Sequence, residues 1–110
     1  MSANTSTKIE EAFSLLPSQE RETIISHGVA FRLSELRKRL FLAESKVQHF
    51  EAKYGIPLEQ LDAEGLPDDA SHEMHEDYIM WHHWADVATK AKQDIDSLDG
   101  IAQHGLQIGP

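Results

Sequence analysis

The side chains of this sequence that could do chemistry are concentrated between residues 72 and 86. Four of the chain's seven histidines lie there, interspersed with carboxylates. Imidazole and carboxylate groups are ligands of first-row transition metals, so a metal site in a helical bundle is one hypothesis for this stretch. The candidate ligands are His72, His75, Glu76, His82, His83 and Asp86.

The spacing of these histidines indicates an exposed helix face and not a metal centre. The segment His72–His75 is one residue shorter than the zinc-protease motif, which needs two histidines four positions apart on one helix face. The sequence also has no Glu-x-x-His pair of the kind found in di-iron bundles. On a helical wheel the four histidines face away from the apolar side of their helix. We therefore predict a solvated or partner-facing surface without a cofactor, and a metal site and a pH-sensitive contact are the alternatives.

Catalytic patterns are missing from the sequence. The chain has no cysteine, which excludes disulfides and thiolate metal sites. It has no Gly-rich phosphate loop, and its serines do not occur in a nucleophile-elbow context. These observations predict that the protein is not an enzyme.

The element that organises the chain is a long helix that ends at Tyr54. Its apolar residues recur in alternating steps of four and three, the spacing of a coiled-coil packing seam. Ser18 is a suitable N-cap, Gly28 marks a kink or a close crossing, and Gly55 and Pro57 stop the helix. The seam residues are Val29, Leu33, Leu36, Leu40, Ala43, Val47, Phe50 and Tyr54.

A second long helix is predicted over residues 71–98. Its apolar residues follow the same rhythm, and Asp77 occupies the one missing step. They are Met74, Trp81, Trp84, Ala88, Ala91, Ile95 and Leu98. A connection over residues 55–70, with a short helix at 57–63, folds this helix back antiparallel on the first. Trp81 and Trp84 would then lie near Val47 and Phe50.

The expected fold is all-α: a long antiparallel helical hairpin in a single domain over residues 1–110, assembled as an oligomeric bundle. Residues 1–17 form an N-terminal segment, with a frayed start at 1–7 and a short helix at Lys8–Leu16. Residues 18–54 form the long helix. Residues 99–110, rich in glycine, are expected to be a loose tail.

Charge separates the two halves of the chain. Residues 18–54 carry seven basic against five acidic side chains, whereas residues 55–110 carry twelve carboxylates against two lysines. The net charge of −9 favours a basic partner over nucleic acid. A DNA-associated scaffold that uses the basic cluster Arg37–Arg39 is a third hypothesis. No apolar run is long enough for a bilayer and residues 1–7 lack signal-peptide features, so a soluble cytoplasmic protein is expected.

Three segments carry a resemblance to known proteins. They are Leu16–Glu20 (Leu-Pro-Ser-Gln-Glu), Phe50–Glu59, which contains Lys-Tyr-Gly, and His75–Tyr78 (His-Glu-Asp-Tyr) followed by Trp81. The chain from Leu16 to Leu98 resembles small prokaryotic helical proteins that are similar to antitoxin components of toxin–antitoxin pairs. The resemblance implies a non-enzymatic protein that binds and neutralises a toxin.

The acidic second helix is the predicted contact face for such a toxin, which we expect to be basic. Ile79, Met80 and Val87 lie off the seam and add a second, partly apolar strip. The predicted partner-binding residues are Asp68, Asp69, Glu73, Glu76, Asp77, Ile79, Met80, His83 and Asp86.

A homodimer is also expected. The second helix is predicted to be about eight residues shorter than the first. Apolar residues of the first third of the chain would therefore lack cover, which soluble monomers rarely tolerate. A two-fold related copy would cover them, and Arg37–Arg39 would meet an acidic helix. The uncovered residues are Phe13, Leu15, Leu16, Ile24, Ile25 and Phe31.

Overall fold

A computed structural model of the chain describes residues 2–105, and it describes side chains for residues 7–103. Its regular elements are α1 (Ser2–Ser14), α2 (Ser18–Tyr54), α3 (Leu58–Glu64) and α4 (His72–Gly105). No strand occurs between residues 2 and 105, so the predicted all-α class is confirmed. Contacts divide the chain into a first unit, formed by the residues up to 34 and from 97 onward, and a second unit, residues 35–96.

The helix ends differ from the prediction in two places. α1 begins at Ser2 instead of residue 8 and ends at Ser14, because the polar start of the chain contains no helix breaker. α4 runs to Gly105 instead of residue 98, so it is only three residues shorter than α2 (34 against 37). A single helical glycine such as Gly100 costs only about 1 kcal/mol and does not end a helix. Residues 106–110 of the predicted tail lie outside the described residues.

The first unit contains α1, residues 18–34 of α2 and the end of α4. Arg21 ends α1 by donating from Nη1 to the carbonyl oxygens of Ser14 at 2.7 Å and Leu16 at 3.0 Å. The backbone N–H of Arg21 donates to the oxygen of Pro17, which places Pro17, and not Ser18, at the N-cap of α2. Leu33 is buried.

Much of the apolar surface of the first unit stays exposed. Leu15 is 85% exposed and Phe31 69% exposed. Of the six residues predicted to lack cover, Phe13 and Leu16 are half-buried and the other four are exposed. The predicted exposure is thus confirmed for four of the six residues, whereas its stated cause, a much shorter second helix, was wrong. The other large exposed hydrophobic residues here are Ile9, Ile24, Ile25 and Ile101.

The second unit is an antiparallel helix pair that α3 covers on one side. Trp81 stacks on Phe50, with ring centroids 5.9 Å apart, whereas Lys92, later in α4, pairs with Glu44, earlier in α2. This order confirms the predicted antiparallel packing. Leu58 and Leu61 of α3 complete the core cluster around Trp81. The buried seam residues of this unit are Leu36, Ala43, Phe50, Trp81, Ala88, Ala91 and Ile95.

Local signals set the turn between the paired helices. Gly55 ends α2 with a φ of 75° and donates its N–H to the oxygen of Glu51, as the sequence predicted. Ser71 caps α4, because its Oγ accepts the N–H of Met74 at 3.1 Å. Over the described residues, none of the helices combines the length and the apolar character that a membrane span requires.

Candidate protein-interaction site

Asp77, predicted as a partner-binding residue, instead holds the two long helices of the second unit together. Its Oδ2 accepts hydrogen bonds from Lys53 Nζ and from the Tyr54 hydroxyl, both at 2.6 Å. These bonds, that of Lys53 first, lower the pKa of the Asp77 carboxyl. The side chain is only 20% exposed. Asp77 therefore faces α2 and occupies the one seam position of the second helix that is not apolar. It does not belong to the contact face.

A second polar cluster, which the sequence did not reveal, ties α3 to α4. Oδ1 of Asp62 accepts a hydrogen bond from the Tyr78 hydroxyl and lies 2.6 Å from His82 Nε2. The Tyr78 and His82 rings meet edge to face with centroids 4.8 Å apart. The bond from Tyr78, and then that with His82, lowers the pKa of Asp62. The i, i+4 spacing of Tyr78 and His82 was the available signal, because it places both on one helix face.

The four clustered histidines therefore have different surroundings. His82 is half-buried against α3, which corrects the prediction that all four face outward. His72 is 88% exposed and lies 2.9 Å from Glu76, one turn along α4. His75 is exposed, and His83 is exposed with its ring edge against Trp84.

The predicted metal ligands are not gathered at one point. Within the part of the chain that the structure describes, no three His, Cys, Asp or Glu side chains are grouped so that they could hold a metal ion. The structure brings His72 to Glu76 and His82 to Asp62, but these pairs lie in different surroundings. The metal hypothesis therefore rests on residue types alone.

The outer face of α4 presents apolar side chains among carboxylates. We use this name for Glu73, Glu76, Ile79 and Met80. Ile79 is 67% exposed and Met80 44% exposed, and both glutamates are exposed. Asp68 and Asp69 are exposed in the loop that precedes the helix. These six residues belong to the predicted partner-binding set, and the structure places all of them at the surface of the second unit.

A groove of about 540 Å³ opens between α2 and α4 in the second unit. It lies on a different side of α4 from Tyr78 and His82, which contact α3. Of the basic cluster Arg37–Arg39, which is exposed throughout, Arg39 reaches the groove. His83 and Asp86 of the predicted partner-binding set also line it. The lining residues are Arg39, Leu42, His83, Trp84, Asp86, Val87 and Lys90.

Comparisons with known proteins add no assignment. No protein-family model matches the sequence, and no curated protein or solved structure matches the chain. The resemblance to antitoxin components therefore rests on the three short segments given above. The function has to be inferred from the surface of the second unit.

Proposed function

We propose that this chain is a non-enzymatic, antitoxin-like protein-interaction module that binds and neutralises a basic toxin through the outer face of α4. The observation that carries the proposal is the 67% exposure of Ile79. Ile79 lies two positions before Trp81, which is fully buried, so the helix that presents it is firmly packed. A rigid helix with an exposed aliphatic anchor is typical of helix-mediated recognition.

The charge around Ile79 supports a basic partner. Glu76 lies on the same face, and Asp68 and Asp69 precede it in the chain, whereas the charge of Glu73 is paired with Lys53. An acidic rim around an apolar anchor accelerates the encounter with a basic protein and disfavours acidic ones. The net charge of −9 acts in the same direction.

The hydrogen bonds of Lys53 also support this surface, because they hold the helix that presents it. Lys53 donates to both Asp77 and Glu73, and therefore holds the first turns of α4 against α2. A face that is ordered before binding loses less conformational entropy when a partner arrives.

The test is co-expression with the product of the adjacent reading frame. We expect that product to be basic and to inhibit growth, and we expect this chain to relieve the inhibition and to co-purify with it. Ile79→Glu should weaken the complex at least tenfold and abolish the relief. Ile9→Glu is the matched control, because Ile9 is 64% exposed in the first unit.

Two results would contradict the proposal. One is an adjacent product that is neither growth-inhibitory nor bound by the wild-type chain. The other is equal binding by the Ile79→Glu and Ile9→Glu variants, since the contact would then lie elsewhere. The circular dichroism of each variant should match that of the wild type, so that a loss of binding is not a loss of fold.

A further inference from the structure

We propose that the groove between α2 and α4 binds the same groove of a second copy of this chain and so forms a two-fold symmetric dimer. This interface begins one turn after the outer face and on the same side of α4, because His83 and Asp86 lie four and seven positions after Ile79. It assigns His83 and Asp86, which the sequence placed on the partner face, to the contact between copies.

The floor of the groove is apolar and only partly covered. Leu42 on α2 is 47% exposed, and Trp84 and Val87 on α4 are half-buried. The α3 helix covers a different side of the pair through Leu58 and Leu61 and leaves this side open. Covering such a floor with a second apolar surface removes it from water, which favours association.

The charges at the groove identify the occupant. Arg39 and Lys90 are positive and Asp86 is negative. Lys90 pairs with Asp94 at 2.6 Å, but neither Arg39 nor Asp86 has a hydrogen-bond or ion-pair partner among the described residues. A purely basic or purely acidic partner would complement only one of these two charges. A second copy supplies both.

Two-fold symmetry would repeat the contact between Arg39 and Asp86 on both sides of the symmetry axis. An interface of this kind uses one self-complementary patch, so Arg39 of each copy meets Asp86 of the other. In this arrangement the basic cluster of one copy still contacts the acidic helix of the other, as predicted from the sequence. It moves the dimer contact from the first unit, where nothing in the structure identifies what covers Phe31, to the second unit.

Mass measurement of the full chain tests the interface. Light scattering at micromolar concentration should give about twice 12.4 kDa for the wild type. Leu42→Glu places a charge on the groove floor and should give the monomer mass. Phe31→Glu is the matched control on the same helix, because Phe31 is 69% exposed but belongs to the first unit, and it should keep the dimer mass.

Charge reversal tests the pairing itself. Arg39→Glu and Asp86→Arg should each raise the dimer dissociation constant at least tenfold, because each places like charges together. The double variant should restore the constant to within about threefold of the wild type. Both side chains are exposed, so this cycle also decides the question if Leu42→Glu fails to fold.

The overturning results are specific. A wild-type monomer would reject the dimer, and loss of the dimer in Phe31→Glu would place the contact in the first unit. A folded Leu42→Glu that stays dimeric, or a double variant that is not restored, would also overturn the proposal. Binding of the adjacent gene product by Ile79 is measured separately, so either proposal can fail without the other.

Discussion

Lys53 Nζ lies 2.6 Å from Asp77 Oδ2, and this contact joins the last turn of α2 to the second turn of α4. The Tyr54 hydroxyl donates to the same oxygen, and Lys53 also reaches Glu73. Lys53 interacts favourably with the negative end of the α2 dipole as well. The Asp77 carboxylate thus fixes the position of the first turns of α4 relative to the end of α2. It thereby also fixes the direction in which Ile79 points.

Asp77 makes the stability of the protein sensitive to acid. Because its pKa is lowered by folding, the unfolded state takes up the proton first as the pH falls. The stabilising contribution is present above the unfolded pKa of about 3.9 and is lost as the pH falls through the folded value. Asp62 acts in the same direction. We expect the free energy of unfolding to fall as the pH drops below about 4.

Asp77→Asn should lower the free energy of unfolding at neutral pH and flatten its decline in acid, because the titrating carboxylate is gone. Urea unfolding followed by circular dichroism at several pH values measures both effects. Asp68→Asn is the control, since this exposed carboxylate has no partner among the described residues. An acid limb that is identical in the two variants would rule out Asp77 as its source.

Tyr54 and Lys53 make the stability of the protein sensitive to alkali. Burial, followed by the hydrogen bond to Asp77, raises the pKa of the Tyr54 hydroxyl, and the bonds to Asp77 and Glu73 raise the pKa of Lys53. A pKa raised by folding gives stability that is complete below the unfolded value, about 10 for tyrosine and 10.4 for lysine. The free energy of unfolding should therefore decrease as the pH rises above about 10.

Tyr54→Phe isolates the hydroxyl, because the ring can still stack on Trp81 at a centroid distance of 6.0 Å. Loss of one hydrogen bond should cost about 1 kcal/mol at pH 7 and lower the Tm by about 4–8 °C. The alkaline decline should also become shallower. Thermal unfolding at pH 7 and near pH 10 measures both, and an unchanged Tm at pH 7 would show that the bond contributes nothing.

The packing seam predicts that aspartate substitutions at two alanines of α2 differ strongly in their effect on stability. Ala43 is fully buried in the second unit, whereas Ala52 is exposed on the same helix. Ala43→Asp should cost several kcal/mol, because it buries a charge without a partner. Ala52→Asp should cost no more than about 1 kcal/mol, through helix propensity alone. Equal denaturation midpoints for the two variants would mean that the helices pack through another face.

Sequence periodicity was sufficient to predict the helix pairing. Every seam position of α2 from Val29 to Tyr54 is buried or half-buried, because a three-four step keeps side chains on one side of a helix. The stacking of Trp81 on Phe50 followed from the same pattern once a short connection required antiparallel helices. The exposure of Ile79 and Met80 followed from their positions off the seam.

Polar contacts between separate elements could not be predicted in this way. Asp62 reaches His82 across 20 residues, and periodicity contains no information about which carboxylate approaches from another helix. Asp77 was assigned by its charge to the contact face although its wheel position placed it on the seam. The extension of α4 beyond residue 98 was missed because Gly100 was read as a stop signal, which one helical glycine is too weak to be.

Gly28 offers a stabilising substitution. It lies within α2 and is exposed, and a Cβ built there meets no described atom within 4 Å, which argues against the close crossing considered from the sequence. Gly28→Ala should raise the free energy of unfolding by about 1 kcal/mol and the Tm by several degrees, because alanine restricts the unfolded chain without strain in the helix.

Gly55→Ala is the contrasting control. Its site is equally open, but its φ of 75° is left-handed and costs an alanine about 1–2 kcal/mol. Urea denaturation should therefore move the two midpoints in opposite directions, and a loss of stability in Gly28→Ala would mean that this turn of α2 is not a regular helix in solution.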